Sequence, residues 1–262
     1  WPHLLRPLDA LAMRGVVVDI EGVDEALCSA DGDAAYGARG RRTLPLAEFL
    51  DAWRGNGPVP GYLKDWHLVR CDADFARAAY DEPEELLGVD WLNQWCDAAA
   101  RCTSDPPNDY RFVYIGPAGS WTPLHHDVLS SHSWSVNVHG VKRWILFPPM
   151  VSADLRDSFG EVPPDARPGM YDAVRWPHLG RAWAKRREVI QRSGDLIFVP
   201  SGWYHQVHNL EPTVSINHNW INAACLPALG RFMCDEARSV VESIQHLRAP
   251  AGLDASSGGG SA

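Results

Sequence analysis

At 262 residues the chain is long enough to bury a sizeable core, and all-β barrels and sandwiches of this length commonly form one domain. Its 45% hydrophobic and 22% charged content is ordinary for a globular protein, and no window approaches the roughly 18 continuous apolar residues of a membrane span. A formal charge of -9 argues against chain-wide attraction to nucleic acid. One local basic cluster, Arg181-Ala-Trp-Ala-Lys-Arg-Arg187, reads most simply as a solvated face.

The chain opens on Trp1 without an initiator Met or a signal-peptide pattern, so it is expected to lack its true start. A cytoplasmic location is the default, with the nucleus as the alternative. Val16-Val-Val-Asp-Ile20 reads as a strand. Residues 43–53 read as a helix, with Thr43 as N-cap and Pro45 in the first turn, ended by Gly55-Asn-Gly-Pro58. Residues 62–69 read as a strand entering the core, and residues 91–101 show helical spacing of their large side chains. After Asp105-Pro-Pro107 the character changes to short β-rich runs: Arg111-Phe-Val-Tyr-Ile115, Trp134-Ser-Val-Asn-Val138, Arg143-Trp-Ile-Leu-Phe147, Leu196-Ile-Phe-Val199 and Val214-Ser-Ile-Asn217. That pattern predicts a mainly β sandwich or barrel. His139-Gly140 and Ser193-Gly194-Asp195 fit tight hairpins. The expected organisation is N-terminal elements over residues 1–59 packing on a core at 60–222, with a Pro-rich insertion at about 152–187. A C-terminal helix at 223–248, with helical periodicity over 226–247, and a disordered Gly/Ser/Ala tail at 249–262 complete it.

Cysteines 28, 71, 96, 102, 225 and 234 form no C-x-x-C pair, so neither a zinc ribbon nor a thioredoxin-like motif is indicated, and free thiols are expected. The chemistry points elsewhere. In Trp121-Thr-Pro-Leu-His-His-Asp127, His125 and Asp127 are alternate residues, so on a strand both side chains project from one face. His126 alternates away from Asp127 and is the weaker candidate. By itself an H-x-D triplet is weak evidence in a chain with 11 His. A second imidazole is offered by Gly202-Trp-Tyr-His205, at the start of another strand. Two His and one carboxylate on one face of an ion, with open positions opposite, are the ligands of a mononuclear non-haem Fe(II) oxygenase. His208 falls on the opposite strand face from His205, His218 alternates against Asn217 and Asn219, and His3, His67, His132, His139, His178 and His246 have no ligand-like partner in sequence.

The blocks Trp121-Thr-Pro-Leu-His-His-Asp127, Trp134-Ser-Val-Asn-Val-His-Gly-Val-Lys-Arg-Trp-Ile-Leu-Phe-Pro148, Phe198-Val-Pro-Ser-Gly-Trp-Tyr-His205 and Ser215-Ile-Asn-His-Asn-Trp220 resemble, in order, the signatures of the Jumonji-C 2-oxoglutarate oxygenases. The likeness covers roughly residues 60–222 and is strongest to the small hydroxylase branch. The strings Tyr62-Leu-Lys-Asp-Trp-His67 and Ser215-Ile-Asn-His-Asn-Trp220 resemble a lysyl hydroxylase that acts on a translation release factor. The resemblance implies a double-stranded β-helix, a cupin-like jelly roll with flanking helices. It further implies Fe(II) held by His125, Asp127 and His205, with 2-oxoglutarate as cosubstrate and O2 as oxidant. Lys142 would anchor the cosubstrate's distal carboxylate through a charge-assisted hydrogen bond. Tyr62 and Thr122 would hydrogen-bond the same molecule, with Asn217 and Asn219 facing inward by parity. Some relatives carry Asn at Ser135 and Thr at Asn217. The implied activity is a protein hydroxylase on a lysyl side chain. The alternatives are a histone N-methyl-lysine demethylase and a non-catalytic cupin-like binding protein. Trp203, next to Tyr204 and His205, is a candidate for shaping the substrate entrance.

Overall fold

The β-rich runs from Arg111 onward fold into eight antiparallel strands shared between two facing sheets. In the computed structural model, which describes residues 8–21, 42–56, 59–102 and 109–244, three further strands precede them. In chain order these are β1 (Val17–Glu21), β2 (Arg42–Pro45), β3 (Tyr62–Trp66), β4 (Arg111–Gly116), β5 (Trp121–His125), β6 (His132–His139), β7 (Lys142–Phe147), β8 (Arg187–Gln191), β9 (Leu196–Val199), β10 (Tyr204–Asn209) and β11 (Thr213–Trp220). The larger sheet runs β2-β1-β3-β4-β11-β6-β9 and the smaller β5-β10-β7-β8. Successive strands from β4 to β7, and again from β8 to β11, alternate between the sheets. This is jelly-roll winding, and it agrees with the expected mainly β, double-stranded β-helix class.

That alternation corrects the two hairpin expectations. The turns at His139-Gly140 and Ser193-Gly194-Asp195 are tight, yet β6 does not pair with β7, nor β8 with β9. Each turn carries the chain from one sheet across to the other. Turn chemistry dictates a sharp reversal, whereas the strand partner is set by burial on two opposed faces. Gly140 sits at φ +83, and a Cβ built there would lie 2.1 Å from the Pro212 carbonyl oxygen. Gly140→Ala is therefore expected to destabilise the fold by about 3 kcal/mol, combining left-handed strain with a backbone clash. An unchanged denaturant midpoint would refute this.

The predicted helix at residues 43–53 starts later than expected. Thr43 and Leu44 pair with Asp19 and Val18 in β1, and the Thr43 hydroxyl donates to the Asp19 carboxylate instead of capping a helix. The helix spans Leu46–Asp51, without a side-chain cap. Its buried residues Leu46, Phe49 and Leu50 have the i, i+3, i+4 spacing of an amphipathic face. The amphipathic periodicity holds over Leu46–Asp51, while sheet pairing outcompetes a weak cap at Thr43. Likewise the strand expected over residues 62–69 ends at Trp66, and Leu68–Cys71 forms a helical turn.

The helix Trp91–Ala100 forms as read, but it buries Leu92, Asn93 and Cys96, while Trp91 and Trp95 face solvent. Its start is capped by Asp90, whose Oδ1 accepts from the backbone N–H groups of Leu92 and Asn93. The Asn93 side chain then ties the helix to the larger sheet: Nδ2 donates to the Asn219 carbonyl at 2.9 Å and Oδ1 accepts from the Tyr110 backbone at 2.8 Å.

The Pro-rich insertion covers the outer face of the smaller sheet. Val151, Leu155, Ala166, Trp176, Leu179 and Ala182 pack there on Leu124, Ile145, Phe147 and Tyr204. Strand β8 escaped the sequence reading because four of its five residues are exposed, which removes the hydrophobic alternation. The C-terminal helix runs Leu226–Ile244; residues 245–247 of its expected span and the tail at 249–262 lie outside the described residues. Among the described residues no helix is long and apolar enough to cross a membrane. Cys71, Cys96, Cys102, Cys225 and Cys234 are free; Cys28 lies outside the described residues.

Candidate active site

His125 closes β5, and Asp127, two residues on, keeps an extended backbone (φ -67, ψ 149) although the strand has ended. The two side chains therefore stay on one face. Across the smaller sheet, β10 places His205 directly opposite His125. One ligand atom each from His125, Asp127 and His205 lies within 4.8 Å of the others, and the two imidazole centroids are 4.2 Å apart. That arrangement is a facial triad able to grip one divalent ion while leaving the opposite side open.

The surroundings orient each donor. His125 Nδ1 lies 2.8 Å from the Pro123 carbonyl and His205 Nδ1 lies 3.4 Å from that of Trp203; a proton on each Nδ1 satisfies these carbonyls and frees Nε2 as a lone pair able to bind a metal. Asp127 accepts from Ser133 Oγ at 2.7 Å and from Asn219 Nδ2 at 2.9 Å. Burial, reinforced by the neighbouring His205, pushes the His125 imidazole down to about 4. It is thus neutral and ligand-competent at neutral pH.

Above the ordinary value of 6.5, His125 is neutral in both folded and unfolded chains; below it the unfolded chain takes up a proton that the fold resists until about pH 4. Buried His208 is also pushed down to about 4. Metal-free protein should therefore lose several degrees of thermal midpoint between pH 6.5 and 4, as calorimetry would show. A flat profile would contradict neutral burial.

A cavity lined by residues of both sheets extends from the triad into the space between them. Lys142, on β7, reaches its inner end. It is 2% exposed, and Nζ donates to Ser215 Oγ at 2.5 Å. Burial lowers its ammonium to about 7. No ion pair to it forms among the described residues, so a buried cation faces the cavity with only neutral partners. A ligand carboxylate would complete it, which is what a small dicarboxylate bound at the triad requires.

Tyr62, Thr122, Asn217 and Asn219 all line this cavity. Thr122 does so through a feature the sequence hid. The register of β5 slips against β10, with Val207 opposite Thr122 and His205 opposite His125, so β5 holds one residue more. This β-bulge contains Pro123 and turns Thr122 and His125, three residues apart, to the same face. Asn217 accepts from Ser135 Oγ at 3.0 Å. Asn219 donates to Asp127 and, at 3.1 Å, to Ser131, so it acts on the site by holding the carboxylate.

Trp144 stacks beside His205 at 5.6 Å and is itself fixed by an Nε1 hydrogen bond to Gln191 at 2.8 Å. Half-buried Trp203 packs with the inner apolar cluster and carries Arg187 over its ring. His126 turns away from the triad, its ring edge-on to Tyr204. His208 stacks on Trp121, and His218 lies on the outer face of the larger sheet. Sequence reasoning missed Ser215, which accepts from Lys142, and Tyr114, which lines the cavity with its ring face toward Lys142. Both were accessible by parity, since Ser215 alternates with Asn217 and Asn219, and Tyr114 with Phe112.

A model of the family described as "Cupin-like domain" matches residues 61–224. The chain is 40% identical over 223 residues to "2-oxoglutarate and iron-dependent oxygenase JMJD4" of Gallus gallus, covering 82% of this chain and 50% of the relative. The Homo sapiens protein of that name is 40% identical, over 83% of this chain and 52% of the relative. "Arginine-specific demethylase JMJ20" of Arabidopsis thaliana is 38% identical, over 79% and 46% respectively. The chain spans about half the length of these relatives. With the jelly-roll topology and the four ordered signature blocks, these matches show that the chain belongs to the cupin-like, Jumonji-C oxygenase family.

Proposed function

We propose that this chain is an Fe(II)- and 2-oxoglutarate-dependent protein hydroxylase that oxidises a lysyl side chain, with a translation release factor as its substrate. One observation carries the oxygenase part: a His-Asp-His triad within 4.8 Å shares its cavity with a buried, carboxylate-free Lys142. The names of the JMJD4 relatives support the same cofactor pair. The lysyl and release-factor assignments rest on the signature strings.

When bound, iron together with 2-oxoglutarate supplies the oxidising power to hydroxylate a C–H bond, using O2 and releasing succinate and carbon dioxide. The chain's own residues provide position, charge and exclusion of water. Backbone carbonyls of Pro123 and Trp203 set the ring orientation of His125 and His205. Ser133 and Asn219 hold Asp127. Lys142 would hold the far carboxylate of the cosubstrate, leaving its 2-oxo acid end for the triad in the same cavity. Trp144, Phe112 and Val207 give the cavity apolar walls that keep bulk water from the reacting carbon.

The similarity to an arginine-specific demethylase favours a second reading, removal of a methyl group by the same oxidation. One incubation decides between them: purified protein, Fe(II), 2-oxoglutarate and the release-factor domain bearing its candidate lysine, analysed by mass spectrometry and succinate release. Gain of one oxygen on a lysine is expected. Methyl loss from a methylated peptide, without oxygen gain on the release factor, would replace the substrate assignment. Absence of succinate with every peptide tried, despite bound iron, would leave a cupin-like binding role.

A further inference from the structure

On the side of the larger sheet away from the active-site cavity, Glu82, Asp90 and His218 each offer an oxygen or nitrogen donor, and these atoms lie within 4.8 Å of one another. We propose that they form a second site for a divalent cation.

The first support is charge. Glu82, Asp90, Asp97 and Asp109 gather around a single guanidinium, Arg111. Two of these carboxylates, Asp90 and Asp109, are 6% and 2% exposed. Asp109 also faces His67 at 3.0 Å and the Asp97 side chain is 43% exposed, so the excess of negative charge falls on Glu82 and Asp90. A cation of charge two would relieve most of the excess.

The second support is independent of the acids. His218 is fully buried, and its Nδ1 has no hydrogen-bond partner. That atom faces Glu82 Oε1 at 3.8 Å, too far for a hydrogen bond and close enough for both to reach one ion. The other ring nitrogen, Nε2, lies 2.9 Å from the Tyr80 hydroxyl. A metal-bound imidazole shows this pattern, with one nitrogen on the ion and the other donating to an oxygen.

The remaining donors have capacity to spare. Arg111 Nε approaches Glu82 Oε1 at 3.1 Å but forms no directed hydrogen bond with it. Asp90 Oδ1 is occupied by the helix cap, while Oδ2 accepts only from Asn93 Nδ2 at 2.6 Å. A narrow crevice lined by Glu82, Asp90, Trp134 and Trp220 opens beside two of the three donors and gives the ion a route in. One imidazole with two carboxylates suits Mn²⁺ or Zn²⁺ better than a soft ion. Such an ion would cross-link the segment at Glu82, the cap at Asp90 and strand β11.

The test is Mn²⁺ stoichiometry by equilibrium dialysis of chelator-stripped protein, with elemental analysis of wild type, Glu82→Gln, His218→Asn and Asp127→Ala. Wild type should bind about two equivalents. Glu82→Gln should retain about one, and Asp127→Ala should also retain about one, lost from the other centre. Glu82 is half-buried, so its variant keeps the test valid if His218→Asn fails to fold. The proposal is overturned if wild type binds a single equivalent that Asp127→Ala removes, or if Glu82→Gln keeps both. A single equivalent removed by Glu82→Gln and not by Asp127→Ala would support this site and refute the active-site reading instead.

Discussion

Asp127→Ala is expected to reduce iron affinity by more than about 100-fold and to abolish succinate release while leaving the fold intact. The magnitude follows from position. Loss of a residue that merely supports a metal ligand costs about 10–100-fold in affinity or activity, so loss of the one charged ligand must exceed that. Asp127 supplies the negative charge of the triad and follows the end of β5, where its side chain supports no ladder hydrogen bond. Ser133→Ala and Asn219→Ala remove its two holding hydrogen bonds and should fall between wild type and Asp127→Ala. Iron content after dialysis, circular dichroism and a succinate assay on the four proteins would check the order. An Asp127→Ala protein with wild-type iron content would sink the triad assignment.

How far this site could be read from residues alone depended on how local each determinant was. The pair His125 and Asp127 was legible because alternation survives as long as the backbone stays extended, and it does so past the end of β5. His205 was legible as a donor, yet its register opposite His125 is a property of the paired sheet. Thr122 shows where alternation fails: its parity from His125 predicts the opposite face, and only the bulge at Pro123 brings both inward. In the fold, the two Gly-containing turns announced reversals but not the change of sheet. Trp91 and Trp95 had helical spacing but lie on the solvent face, because Asp90 and Asn93 anchor the opposite side to β11. Apolar size predicts a face only where no buried polar contact decides it first.

Lys142 provides the other large effect. Lys142→Met, which keeps the length and removes the charge, should raise the KM for 2-oxoglutarate by about 10–100-fold, the worth of one charge-assisted hydrogen bond in a dry pocket. Iron affinity should be unchanged, since Lys142 contacts Ser215 and the Tyr114 ring face, not the triad. The same substitution should stabilise the ligand-free protein. With its value lowered from 10.5 to about 7 by burial, Lys142 is held less tightly protonated in the fold than in the unfolded chain. Between those values the unfolded state binds more protons, so stability attributable to this residue rises with pH from about 7 to 10.5, and the burial cost is fully present below 7. Cosubstrate binding reverses the balance, because a carboxylate beside Nζ favours the ammonium. Binding above pH 7 must then take up a proton, and 2-oxoglutarate affinity should fall by up to about tenfold per pH unit there. Calorimetric titration in two buffers of different ionisation enthalpy would reveal the uptake in wild type and its absence in Lys142→Met. Equal KM values for the two proteins would place the distal carboxylate elsewhere, and with it the orientation of the cosubstrate toward His125, Asp127 and His205.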